Sequence, residues 1–137
     1  MNKQPEKIRE SEPLSSFVSP FSFGLTFKNV NSAGMVTARF RGSHEFQGYD
    51  GIFHGGVLSA LVDNAMAHCL INRGIEAVTG ELIVRYLEPV PCNAWLTICA
   101  WVKEELPPLY YMRSEIKVDG KVVVKARAKF MKRAEGM

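Results

Sequence analysis

The chain has 137 residues, of which 47% are hydrophobic and 23% are charged, and its formal net charge is +3. This length suits one globular domain with a core of its own, and the composition is ordinary for a soluble protein. The mild positive charge does not by itself indicate nucleic-acid binding, although it suits an acidic or phosphate-bearing ligand.

The first part of the chain is polar and carries no core pattern. Residues 1–19 are highly charged and then rich in Ser and Pro, which predicts a flexible arm followed by one domain over residues 20–137. We find no signal-peptide pattern and no apolar run long enough to cross a membrane. The three cysteines form no Cys-x-x-Cys pair, so we expect reduced thiols in a cytoplasmic protein; they are Cys69, Cys92 and Cys99.

Two strands are predicted before the centre of the chain. Apolar residues alternate from Phe21 to Phe27, which predicts a strand with one buried face. A turn over residues 30–34 leads into a second strand, from Met35 to Arg41, so the two form a hairpin. A glycine-rich loop over residues 42–53 follows this hairpin.

One long helix and four more strands complete the pattern. The residues after His54 are apolar almost all the way round a helical wheel, which predicts a buried helix ending near Asn72. Four strands follow, over residues 76–87, 95–102, 110–118 and 122–130, and Asp119–Gly120 is a strong hairpin turn between the last two. The predicted fold class is therefore α+β, with a long antiparallel sheet around one buried helix.

Asp63 lies in the middle of this apolar helix. Burying a carboxylate costs several kcal/mol unless it is paired or used, and no Lys or Arg lies within a helical turn of it. One interpretation is a structural aspartate bonded to backbone or to Asn64. The alternative is catalytic, because Gly55 and Gly56 leave free N–H groups at the helix start, where the dipole favours negative charge.

The spacing along the helix bears on this alternative. Asp63 lies two turns, roughly 10 Å, from Gly55, so it cannot easily act on an oxygen held at its own helix end. A second copy packed antiparallel would bring the partner subunit's Asp63 towards Gly55. The spacing therefore indicates a site shared between subunits.

The segment from Gly51 to Asp63, with its His-Gly-Gly and an Asp seven residues beyond the second Gly, resembles a known signature. It is similar to that of hotdog-fold acyl-CoA thioesterases of the phenylacetyl-CoA thioesterase type, in the 4-hydroxybenzoyl-CoA thioesterase superfamily. Residues 79–91 resemble the strand and Pro-containing turn that follow the helix in that family. The resemblance covers residues 20–132 and implies the hotdog fold.

The resemblance also implies roles for individual residues. The Gly55 N–H would hold the oxyanion, His54 would shape the loop, and Asp63 would act as general base or as nucleophile. Many members carry an Asn six residues before the His, where this chain has Gly48. Either Gln47, beside it, takes over that polar role through a shifted loop, or the role is missing. The candidate substrate-binding residues are Gln47, Gly56, Asn64 and Thr79.

The implied activity is hydrolysis of an acyl-CoA to a carboxylate and free CoA, without a cofactor or metal. The implied unit is a homodimer, assembled further into a homotetramer, with neither nucleic acid nor membrane as partner. Two alternatives remain: a non-catalytic acyl-CoA-binding protein, and a hotdog hydratase or dehydratase, whose loop typically reads His-Phe-Pro. The candidate basic residues for the CoA phosphates are Arg85, Lys125, Arg127, Lys129, Lys132 and Arg133.

Overall fold

The computed structural model describes residues 23–31 and 33–133, so the predicted arm over residues 1–19 lies outside the described residues. The described chain forms one antiparallel sheet, in the order β1-β2-β4-β5-β6-β3, and one helix packed against it. This arrangement confirms the predicted α+β class. The elements are β1 (Lys28–Asn29), β2 (Val36–Arg41), α1 (Gly55–Ile71), β3 (Ala77–Tyr86), β4 (Trp95–Leu106), β5 (Leu109–Val118) and β6 (Lys121–Lys132).

The first predicted strand is wrong in its bounds. β1 contains only Lys28 and Asn29, because Phe23 (φ 57°) and Gly24 (φ 67°) turn the chain just before it. Leu25 is nevertheless buried, and Phe27 packs against the core. The alternation of apolar residues therefore indicated buried side chains correctly, although the backbone before Lys28 does not pair as a strand.

Helix α1 buries one side against the sheet. Its buried residues are Leu58, Leu61, Val62, Ala65, Met66, His68, Cys69 and Leu70. The opposite face, which includes Ser59, Ala60, Asp63 and Asn64, is only half-buried. The expectation of burial on all sides is thus met on the sheet side alone, because the described residues cover the other face only in part. Among the described residues, no helix is both long enough and apolar enough to cross a membrane.

A bulge in β3 decides which side chains reach the helix. Thr79 pairs with Phe130 and Leu82 pairs with Ala128, while the register shifts across Gly80. Residues three apart in a regular strand point to opposite faces, but the extra residue places Thr79 and Leu82 on the same face. Since Phe130 is buried in the core, this is the face that packs on α1.

Candidate active site

The loop before α1 is held by both backbone and side-chain hydrogen bonds. The His54 N–H donates to Phe46 O at 2.7 Å, and the Phe53 N–H donates to Val90 O at 2.8 Å. The Gln47 side chain turns inward, where its Oε1 accepts from the Gly51 N–H at 2.9 Å. Gln47 therefore braces the loop. These contacts fix the direction in which the chain enters the helix.

The helix begins with a side-chain cap that uses one of its first N–H groups. His54 is the N-cap residue, with φ −67° and ψ 129°, and its Nδ1 accepts from the Gly56 N–H at 2.9 Å. Within the described residues the Gly55 N–H has no acceptor. One backbone donor at the positive end of the helix dipole is thus left for a ligand.

Tyr86, the last residue of β3, contacts the first turn of α1. Its Oη donates to the Gly55 carbonyl oxygen at 2.9 Å and shares a short hydrogen bond with Ser59 Oγ. Sequence reasoning missed this residue, because it lies 31 residues after Gly55. The only available signal was the strand alternation, which places Tyr86 on the face of β3 shared by Leu82 and Val84.

Thr79 and Asp63, both candidates from sequence, are brought together. The Thr79 hydroxyl donates to Asp63 Oδ1 at 2.8 Å. Burial raises the pKa of the Asp63 carboxyl, and the Thr79 hydrogen bond opposes this by favouring the ionised form. Within the described residues no Lys, Arg or His forms an ion pair with Asp63. The carboxylate is therefore held by a hydroxyl rather than neutralised by a cation.

A largely apolar cavity of about 380 Å³ adjoins the start of α1. Gly55 and Tyr86 form one side of it, and Glu88 is its charged lining residue. The apolar lining residues are Ile52, Phe53, Leu58, Leu87, Pro89 and Val90. A cavity of this kind suits the apolar part of a small ligand whose polar group reaches the Gly55 N–H.

The remaining site candidates lie in different places. Asn64 follows Asp63 on the half-buried face of α1, and Gly48 contacts the side of His54, since a Cβ there would lie 3.3 Å from His54 Cα. Four of the basic candidates lie on the outer face of the sheet, away from α1; these are Arg85, Lys125, Arg127 and Lys129. Lys132 ends β6, and Arg133 pairs with Glu76 at 3.4 Å.

His68 lies on the other side of the helix from this site. It is 3% exposed, and its ring centroid is 4.6 Å from that of Phe27, so it is a core histidine. Within the described chain its Nδ1 has no hydrogen-bond partner, and burial lowers its pKa to about 4. The three cysteines are free, and no cluster of metal-ligating side chains occurs among residues 23–31 and 33–133.

Comparison with known families identifies the same region. Residues 50–105, which contain the loop, α1, β3 and most of β4, match the model of the thioesterase superfamily. The chain superposes on the PaaI protein from the phenylacetic acid degradation operon of E. coli with a TM-score of 0.75 and 22% identity, covering 82% of each chain. The chain has the hotdog fold, and the part of it over residues 50–105 is similar to the thioesterase superfamily.

Other relatives of this hotdog protein extend the comparison. A hypothetical thioesterase from Streptococcus pneumoniae, solved with coenzyme A, superposes with a TM-score of 0.74 at 22% identity, over 80% of this chain and 86% of that one. The acyl-coenzyme A thioesterase THEM4 of Mus musculus is 30% identical over 92 residues, 62% of this chain. The chain spans 40% of the length of that mouse protein.

Proposed function

We propose that this hotdog protein is an acyl-CoA thioesterase, which hydrolyses a thioester to a carboxylate and free CoA. The observation that carries the proposal is the pairing of two features on one helix. The Gly55 N–H has no acceptor among the described residues, and Asp63 is bonded to Thr79 without a cationic partner. The Gly55 N–H can polarise the thioester carbonyl, and the Asp63 carboxylate can accept a proton or attack the carbonyl carbon.

The reaction follows from these two groups. The thioester carbonyl oxygen accepts from the Gly55 N–H, and the negative charge that develops on it is stabilised at the positive end of α1. The partner subunit's Asp63 takes a proton from water, which attacks the carbonyl carbon, or attacks that carbon itself. The C–S bond then breaks, and CoA leaves as a thiolate. Where Asp63 is itself the nucleophile, the acyl group remains on Asp63 as an anhydride, and water hydrolyses this anhydride to release the carboxylate product and restore Asp63. No cofactor or metal is needed for these steps.

A homodimer supplies the second half of this site. Gly55 and Asp63 lie two turns apart on the same helix, so one chain cannot apply both to one carbonyl. The half-buried face of α1 carries Asp63, and the neighbouring β3 is an edge strand with exposed Val78 and Ile83. A second copy that covers this face and this edge brings the two groups together.

Several relatives support a CoA thioester as substrate. The Streptococcus pneumoniae protein was solved with coenzyme A, and a Streptococcus mutans protein was solved with acetyl-CoA. The Streptococcus pneumoniae protein was also solved with an aspartate replaced by alanine and, separately, with a threonine sixteen residues later replaced by alanine. Asp63 and Thr79 are likewise sixteen residues apart.

One observation favours a second candidate, an acyl-CoA-binding protein without hydrolysis. Gly48 has no side chain at the position where the family often has Asn, and it contacts His54 directly. Gln47, beside it, uses its carbonyl oxygen on the Gly51 N–H. A missing amide at this position would leave a CoA thioester bound but less strongly polarised.

Thiol release from a panel of aromatic and aliphatic acyl-CoAs tests the proposal. We expect wild type to hydrolyse at least one of them and Asp63→Ala to lose at least about a hundredfold in kcat. Glu104→Ala, which removes an exposed carboxylate on β4, is the control and should match wild type. Binding without hydrolysis by wild type would favour the second candidate, and full activity of Asp63→Ala would remove Asp63 from the mechanism.

A further inference from the structure

The peptide group between Gly55 and Gly56 is hydrogen-bonded at both ends. Its carbonyl oxygen accepts from Tyr86 Oη at 2.9 Å, and its N–H donates to His54 Nδ1 at 2.9 Å. A side chain from β3 and a side chain from the loop therefore hold one peptide plane in the first turn of α1. The orientation of this plane also limits how the preceding peptide, which carries the Gly55 N–H, can rotate.

The direction of every hydrogen bond in this group can be assigned. A carbonyl oxygen only accepts, so the Tyr86 hydroxyl is the donor to Gly55 O. The single Tyr86 proton is then used, and the hydrogen bond between Tyr86 and Ser59 must be donated by Ser59 Oγ. This series of hydrogen bonds runs from Ser59 to Tyr86, through the Gly55–Gly56 peptide group, and ends at the His54 ring.

The direction of these hydrogen bonds determines which ring nitrogen of His54 carries the proton. Because Nδ1 accepts from the Gly56 N–H, the neutral ring carries its proton on Nε2. A donor on the Gly55 carbonyl also polarises the peptide group, which strengthens the hydrogen bond that its N–H makes. Tyr86 thus acts on His54 through the peptide, without touching the ring.

We propose that Tyr86 is a positioning residue of the active site, which aims the Gly55 N–H and holds His54 as the Nε2–H tautomer. This inference rests on the proposed thioesterase function for its effect on rate. The hydroxyl of Tyr86 is the part that this positioning role requires. The side chain is 48% exposed, and its ring alone could line the cavity beside Gly55. Tyr86→Phe removes the donor and keeps the ring.

The first measurement is independent of catalysis. Ring ¹⁵N chemical shifts of His54, recorded by NMR in the long-range proton–nitrogen experiment, distinguish the two tautomers. We expect wild type to show the Nε2–H form and Tyr86→Phe to show a mixture with the Nδ1–H form. Tyr111→Phe, on β5 and away from α1, is the control and should match wild type. A wild-type Nδ1–H form, or identical shifts in Tyr86→Phe, would overturn the assignment.

The second measurement is kinetic. We expect Tyr86→Phe to lower kcat about tenfold with little change in KM, since a misdirected oxyanion donor weakens the transition state more than substrate binding. Ser59→Ala, which removes only the outer hydrogen bond, should lower kcat less. Unchanged kcat in Tyr86→Phe, or a KM effect alone, would overturn the positioning role.

The two measurements separate this inference from the proposed function. If wild type hydrolyses no acyl-CoA and Tyr86→Phe still changes the His54 tautomer, the thioesterase proposal fails and the role of Tyr86 at His54 stands. If wild type hydrolyses acyl-CoA and Tyr86→Phe matches it in both measurements, the inference about Tyr86 fails and the thioesterase proposal stands.

Discussion

The Asp63 carboxyl is subject to two opposing influences. Burial raises its pKa, and the hydrogen bond from Thr79 lowers it. Thr79→Val removes the hydroxyl with little change of shape, so the pKa of Asp63 should rise further above its ordinary value. Because the ionised carboxylate is the active form in the proposed mechanism, the acidic limb of the kcat/KM profile should then move to higher pH.

This prediction is checked by measuring kcat/KM against pH for wild type and for the two Thr79 variants. Thr79→Ser keeps a hydroxyl at the same position, so its acidic limb should stay near that of wild type. An unshifted limb in Thr79→Val would show that the hydrogen bond of 2.8 Å does not set the ionisation of Asp63.

His68 makes the stability of the fold depend on pH. Its pKa falls from 6.5 to about 4 on folding because the ring is buried. The unfolded chain therefore binds the proton more readily between these values. The contribution of His68 to the free energy of unfolding is complete above pH 6.5 and decreases as the pH falls towards 4, by at most about 1.4 kcal/mol per pH unit.

Urea unfolding at several pH values between 7.5 and 4.5 measures this slope. The slope should be shallower in His68→Phe, which keeps a planar ring beside Phe27 and cannot be protonated. His44→Ala, a change at an exposed histidine, should leave the slope as in wild type. Equal slopes in His68→Phe and wild type would assign the pH dependence to other groups.

At the scale of elements, the first turn of α1 allows its oxyanion donor to be removed selectively. Gly55 is the first helical residue, where proline is well tolerated because its missing N–H has no helical partner. His54, with φ −67° and ψ 129°, already has the extended conformation that precedes proline. Gly55→Pro should therefore fold and lose about 10²- to 10³-fold in kcat.

Gly55→Ala is the matched control, because it adds a Cβ and keeps the N–H. That Cβ would lie 3.5 Å from the Tyr86 ring, which is an ordinary contact. Thermal unfolding confirms that both variants fold, and thiol release gives kcat. Comparable activity in Gly55→Pro and Gly55→Ala would show that the Gly55 N–H does not carry the oxyanion.

The elements also show what the sequence could and could not predict. The helix and the strands from β2 onward follow from apolar periodicity, which records burial directly. The first strand was predicted over Phe21–Phe27 but forms only at Lys28–Asn29, because the alternation does not show the turn at Phe23 and Gly24. The bulge at Gly80 and the contact of Tyr86 with Gly55 depend on pairing between distant segments, which a local pattern does not contain.

At the scale of the whole molecule, the two halves of the site lie on one helix and face different ways. The loop end of α1 presents the Gly55 N–H beside the cavity, and the half-buried face presents Asp63 two turns away. The motif predicted both residues, and their spacing of two helical turns, which the sequence also predicted, explains why a single chain would be insufficient. Assembly is therefore part of the proposed mechanism rather than an addition to it.

Mixing two inactive variants tests this shared site. In a dimer of one Asp63→Ala chain and one Gly55→Pro chain, one of the two sites combines an intact Gly55 with an intact Asp63, and the other site has neither. Random pairing after co-refolding makes half of the dimers hybrid, so about a quarter of wild-type activity should return. Each variant refolded alone should stay inactive.

The outcome distinguishes two architectures without ambiguity about folding. If each chain formed its own site, every site in the mixture would lack one of the two groups, and activity would stay at the level of the separate variants. Recovery near a quarter would instead require that Asp63 of one chain serve Gly55 of the other.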